Sequence, residues 1–168
     1  MPDLNRTIVA AVAGLLLALS AFAAGTTDFS GTWVLNTDKG QNLGMVKAVD
    51  ESIVVTQSAD KLVIDFTSKF MLKTTRRQVS YDLKGGPVPN EGAMGDKAQT
   101  VAKWVNGKLV VTWTSEGAVA GSTTVKTETR WLSADGNEMS VETVRANKPP
   151  MVLVYDKQKK CKTSRRLP

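Results

Sequence analysis

Histidine is absent from the 168 residues, and cysteine occurs once. The first absence removes the side chain most used as a general base near neutral pH, and with it the commonest metal ligand. The second excludes a disulfide within the chain, because Cys161 has no partner. Cys161 lies among lysines that could favour its thiolate, but no base or oxyanion donor accompanies it, and it reads as an unremarkable exposed thiol. Phosphate-cradling Gly-rich loops, a G-x-S-x-G elbow and metal-spaced carboxylates are also missing. Ser133-Ala134-Asp135-Gly136 offers one acid, too few ligands for calcium. The chain therefore reads as a non-enzyme, with no metal and no cofactor expected.

Long apolar runs are scarce as well. The one present extends from Ile8 to Leu19, after Arg6 and before Ser20-Ala21-Phe22-Ala23-Ala24. A basic start, a short apolar stretch and a small-residue site are the parts of a secretory signal peptide. The run is shorter than the roughly 20 residues of a stable membrane-spanning helix. Cleavage is expected after Ala23, with Ala24 as the alternative, giving a signal peptide at 1–23 and an exported protein, periplasmic or secreted. What remains is one domain's worth of chain, able to build a core without disulfides.

The net charge of +6 is unevenly placed. Residues 157–168 hold Lys157, Lys159, Lys160, Lys162, Arg165 and Arg166 with no acid, whereas residues 24–156 carry equal numbers of basic and acidic side chains. A balanced body gives no reason to expect a specific nucleic-acid partner. The tail at 157–168 reads as a solvated, disordered end, with weak contact to anionic surfaces as the alternative.

From Phe29 onward, apolar and polar residues alternate between turn signals, the pattern of strands. Candidate strands are 30–37, 52–57, 61–67, 69–75 and 77–83 as one interrupted or two short strands, 100–105, 108–115, 125–133, 138–145 and 151–155, with 84–95 as a loop. Only Leu43 to Val49 suggests helix. Asn106-Gly107 is the strongest hairpin signal, because its turn type needs positive φ at both central residues. That turn sets Trp104 opposite Leu109, Ala102 opposite Val111 and Thr100 opposite Trp113. For the hairpin through Ala134-Asp135-Gly136 two registers are available. A two-residue loop opposes Arg130 to Val141 and Trp131 to Ser140. A three-residue loop pairs Trp131 with Met139 and turns Lys126, Glu128, Arg130, Glu138 and Glu142 outward. The second gathers the apolar residues and is preferred, since a one-residue slip reverses every face. Asp50-Glu51 reads as a turn. The expected fold is all-β: an antiparallel up-and-down barrel of about eight to ten strands, with a two-sheet sandwich as the alternative.

Phe29-Ser30-Gly31-Thr32-Trp33 resembles the F-x-G-x-W opening shared by lipocalins, fatty-acid-binding proteins and avidin-like barrels, the calycin group. Val154-Tyr155-Asp156-Lys157 resembles its closing strand. The stretches at 81–87, 102–112 and 131–136 complete a resemblance to exported bacterial lipocalin-like domains. That resemblance implies a Trp33 plug at the closed end with Lys157 stacked over it. It also implies a lipocalin-like barrel over residues 24–156. Departures from the group are equally visible. Leu153-Val154-Tyr155 lacks the arginine of the carboxylate-holding R-x-Y, residues 38–51 offer no paired helices, and neither biotin contacts nor a T-D-Y motif can be placed.

The leading functional expectation is a binding module for a small apolar molecule, lined by Trp104, Trp113, Trp131, Phe66 and Met139. A barrel of about eight strands is just wide enough to fill itself or to hold one ligand, and core packing is the default reading of the tryptophans, with cavity lining as the alternative. Other expectations are a filled-core interaction protein acting through loops or tail, and an inhibitor of exported proteases, for which no reactive-loop signature is present.

Overall fold

The computed structural model describes residues 27–159. The expected signal peptide, Cys161 and most of the basic tail lie outside the described residues. Lys157, assigned above to the tail, is instead the last residue of a strand.

Ten antiparallel strands follow one another: β1 (Gly31–Leu35), β2 (Val49–Gln57), β3 (Lys61–Phe70), β4 (Lys73–Asp82), β5 (Val88–Glu91), β6 (Lys97–Val105), β7 (Lys108–Glu116), β8 (Thr123–Leu132), β9 (Glu138–Arg145) and β10 (Met151–Lys157). A short 3-10 turn, Gly44–Ala48, precedes β2. Each strand pairs with its sequence neighbour, and β1 pairs with β10, so the sheet runs β4-β3-β2-β1-β10-β9-β8-β7-β6-β5. One curled sheet in this order is an up-and-down barrel and removes the sandwich alternative.

Local chemistry sets the registers. Asn106 and Gly107 adopt φ of 49° and 75°, and the β6–β7 pairs are Trp104↔Leu109, Ala102↔Val111 and Thr100↔Trp113, as the turn predicts. At the β1–β10 closure Trp33 lies opposite Lys157. Trp33 is fully buried, its indole N–H donates to the Phe29 carbonyl oxygen at 3.0 Å, and the Lys157 ammonium sits 5.0 Å from its ring centroid. Phe29 stacks on Trp104 beside it. These residues, with Leu62, Leu109 and Met139, fill one end of the barrel. Full burial of each such side chain contributes roughly 1.5–3 kcal/mol.

The opposite end is open, and the wall has one incomplete seam. Between β4 and β5 the strands are joined by a side chain rather than a ladder: Asn90 accepts from the Ser80 N–H at 2.9 Å and donates to the Ser80 carbonyl at 2.7 Å. Further toward the open end the Arg77 Nη1 donates to the Glu91 carbonyl oxygen at 3.2 Å, and Lys73, Arg76 and Arg77 border a space shared with the loop that follows β5.

Three sequence expectations are corrected. The break expected between Thr75 and Arg77 lies instead at Met71-Leu72: β3 continues to Phe70, and a tight turn there starts β4 at Lys73. Neither residue is a usual turn former, which hid the reversal. The loop expected at 84–95 contains β5, a four-residue strand that includes Pro89. In the β8–β9 hairpin Arg130 opposes Val141 and Trp131 opposes Ser140, the register not preferred above. Ser133 and Glu138 close the loop, where the Asp135 carboxylate accepts from the Asn137 N–H. Lys126, Glu128 and Arg130 therefore face the interior, while Glu138 and Glu142 stay outside. Three charges tolerate the inside because they pair with one another along a single strand face.

Candidate functional site: the polar interior of the barrel

A cavity of about 170 Å³ lies midway along the barrel and is bounded by Phe66, Arg77, Tyr81, Trp113, Glu128 and Arg130, among others. A wider space of about 760 Å³ continues from it toward the open end and shares Val46, Glu51, Arg77 and Ala93 with it. This second space lies between the first half of β4 and the loop after β5, along the incomplete seam.

Two charged systems line the cavity. On β8, the Arg130 Nη2 donates to Glu128 Oε2 at 3.0 Å and the Lys126 Nζ sits 3.3 Å from Glu128 Oε1. Burial alone would raise the Glu128 carboxyl, but the adjoining Arg130 and Lys126 charges outweigh it and hold the group below the usual carboxylate range. Across the barrel, Glu51 accepts from the Tyr155 hydroxyl at 2.7 Å and from Ser68 Oγ at 2.6 Å. Burial and the Glu51 charge push the Tyr155 phenol well up, so it remains a donor. Burial likewise raises the Tyr81 phenol. The expectation that Asp50-Glu51 forms a turn is thus corrected: Glu51 belongs to β2 and reaches inward.

The aromatics complete the wall. Tyr81 meets Trp113 edge-on, with centroids 6.1 Å apart. Lys126 lies 4.1 Å over the Trp113 ring and Arg77 lies 4.1 Å over Phe66. Inside this wall Trp113 Nε1, Arg130 Nε and the Tyr81 hydroxyl are buried without a hydrogen-bond partner. A buried polar group without a partner costs free energy, so these atoms mark where an acceptor belongs. In total Arg77, Lys126, Arg130 and Arg145 face Glu51 and Glu128, an excess of positive charge.

Of the five residues expected to line a ligand, Phe66 and Trp113 border the cavity. Met139 is fully buried in the packed core below it, and Trp104 stacks on Phe29 at the closed end. Trp131 is corrected: the observed register turns it to the outer face, where the Lys108 ammonium lies 4.5 Å over its ring. Sequence reasoning missed Arg130, Glu128, Lys126, Tyr81, Glu51 and Tyr155. A usable signal was present in Lys126-Thr127-Glu128-Thr129-Arg130, where opposite charges at i and i+2 can neutralise one another on one face of a strand. Among the described residues no group of three or more Cys, Asp or Glu side chains could hold a metal ion.

The fold is an up-and-down barrel of the kind that lipocalins and fatty-acid-binding proteins share. Among solved structures the chain is similar to the fluorescent protein UnaG, with a TM-score of 0.63 at 18% identity, covering 77% of this chain and 97% of that one. Fatty-acid-binding protein 1 of Echinococcus granulosus aligns with a TM-score of 0.59 at 20% identity over 78% of this chain and 98% of its own. Human cRBP IV aligns with a TM-score of 0.59 at 17% identity over 79% and 99%. Identities this low establish a shared fold. No family model and no curated protein matches the sequence.

Proposed function

We propose that the protein is a non-enzymatic carrier of a small apolar molecule with an anionic or carbonyl-bearing head. The head lies among Arg130, Trp113 and Tyr81, and the apolar body extends toward the open end past Phe66. The observation that carries this reading is the pair of buried, unpartnered N–H donors, Trp113 Nε1 and Arg130 Nε, in a cavity with excess positive charge. The names of fold neighbours such as fatty-acid-binding protein 1 of Echinococcus granulosus support the same class of ligand.

The test is a titration with a fluorescent long-chain carboxylic acid and the matching alcohol. The acid should bind about tenfold or more tightly than the alcohol, since hydrogen bonds to a charged group are worth about 1.5–3 kcal/mol. Trp113→Phe keeps the ring, removes the donor and should cost about tenfold in affinity for the acid. Equal binding of acid and alcohol would overturn the assigned head group, and binding of neither would overturn the carrier reading.

We further propose that the protein acts outside the cytoplasm, periplasmic or secreted, supported by Arg6, the Ile8–Leu19 run and the small residues to Ala24. The intact mass of protein recovered from expressing cells should lack residues 1–23. Recovery of the full chain from the cytoplasm would overturn this.

A further inference from the structure

The most exposed apolar side chains share one end of the barrel. Met45, Met71, Leu72, Met94 and Val119 range from 71% to 101% exposed, whereas no other large apolar residue described exceeds 48%. Met45 sits in the 3-10 turn before β2, Met71 and Leu72 form the β3–β4 turn, Met94 lies in the loop after β5, and Val119 lies between β7 and β8. All of these connections surround the open end. Those at the closed end are polar: Ser58-Ala59-Asp60, Lys84-Gly85-Gly86, Asn106-Gly107 and Ala134-Asp135-Gly136-Asn137.

The β3–β4 turn is the sharpest case. Lys69-Phe70-Met71-Leu72-Lys73 presents an apolar tip between two lysines. Met71 is held at φ 53°, in the left-handed region that Asn or Gly would occupy at little cost. A position that suits a polar turn former carries a fully projecting thioether instead. Lys47, beside Met45, and Lys69 and Lys73 have no ion-pair partner among the described residues.

We propose that the open end docks on an anionic lipid surface, with Met45, Met71, Leu72 and Met94 entering the headgroup boundary and Lys47, Lys69 and Lys73 meeting the lipid phosphates. Projecting side chains on separate loops form no continuous groove for a folded partner, but a bilayer accepts scattered apolar tips without shape complementarity. Flanking lysines supply attraction to negative headgroups. This inference stands apart from the carrier reading, because it is tested with no ligand present.

The experiment is co-sedimentation of the protein as isolated with vesicles of phosphatidylcholine alone or with one-third phosphatidylglycerol. Binding should need the anionic lipid and weaken with added salt. Met71→Asn with Leu72→Ser should lower the apparent affinity about tenfold or more, while Val54→Asn with Val144→Asn on the outer wall leaves it unchanged. Asn suits the positive φ, so the tip variant should keep its thermal midpoint; Leu72→Ser alone gives the same reading should that midpoint fall. Equal binding by tip and wall variants, or equal binding to both vesicles, overturns the proposal. So does a tip variant that only converts a dimer to a monomer, which would make the partner a second copy of this chain.

Discussion

Asn90 grips Ser80 by both backbone groups, accepting from its N–H at 2.9 Å and donating to its carbonyl at 2.7 Å. The same amide also reaches Thr100 Oγ1 at 2.7 Å. One side chain thus stands where a strand ladder would run, linking β4 to β5 and β5 to β6. Asn90→Leu removes all three hydrogen bonds and should cost about 2–3 kcal/mol in urea unfolding. Amide hydrogen exchange should quicken in β5 and the adjoining part of β4 and stay slow in β7–β9. A uniform loss of protection across all ten strands would contradict this role for Asn90.

Glu128 stands between Arg130 and Lys126 inside the barrel. Glu128→Gln leaves a buried guanidinium without its counter-charge and should destabilise the fold by about 3 kcal/mol. Adding Arg130→Gln to that variant should recover part of the loss, because the uncompensated charge is gone. Chemical denaturation of the two variants decides it; a double variant weaker than the single one by the full cost of a second lesion would show that the two residues act independently.

Asp135 is held at about 2, below its ordinary 3.8, by hydrogen bonds from Ser133 and Asn137. A carboxyl depressed in the folded state stabilises that state above its unfolded value and loses the contribution as pH falls through its folded value. The stability difference between wild type and Asp135→Ala should therefore be constant above about pH 5 and shrink steadily as pH falls toward about 2. Urea midpoints across that range measure it. A difference that grows on acidification would refute the assignment.

Gly31 has φ 141°, and a Cβ placed there would come within 3.1 Å of the Lys157 Cε. Gly31→Ala should cost about 1–3 kcal/mol from backbone strain and shift the emission of Trp33, whose ring the displaced lysine covers. Thermal unfolding followed by tryptophan fluorescence reads both effects at once. An unchanged midpoint would show that the closure tolerates a side chain.

Several strands and the closure were readable from explicit turn chemistry, although β5 was hidden among the Gly and Pro residues of 84–95. Asn106-Gly107 set its hairpin to the residue, and Gly31, Trp33 and Lys157 announced the junction of the first and last strands. Where a turn was built from Met71 and Leu72 there was no such signal, and the strand boundary was lost with it. The interior site was obscured for a different reason. Choosing the β8–β9 register by keeping charges in water is sound for a filled core, but here Lys126, Glu128 and Arg130 neutralise one another around a cavity. A single-residue slip then moved Trp131 inside and the charges outside, inverting the reading of that wall. Glu51 was missed because its partners, Ser68 and Tyr155, are 17 and 104 residues away.

Thr27 hydrogen-bonds to Gly107, and the Gln158 N–H to Thr32, so the chain enters and leaves the barrel at the same pole. That pole is the one sealed by Trp33. Anything joined directly at Thr27 or Lys159, the first and last described residues, leaves from the base of the barrel, on the side away from its mouth.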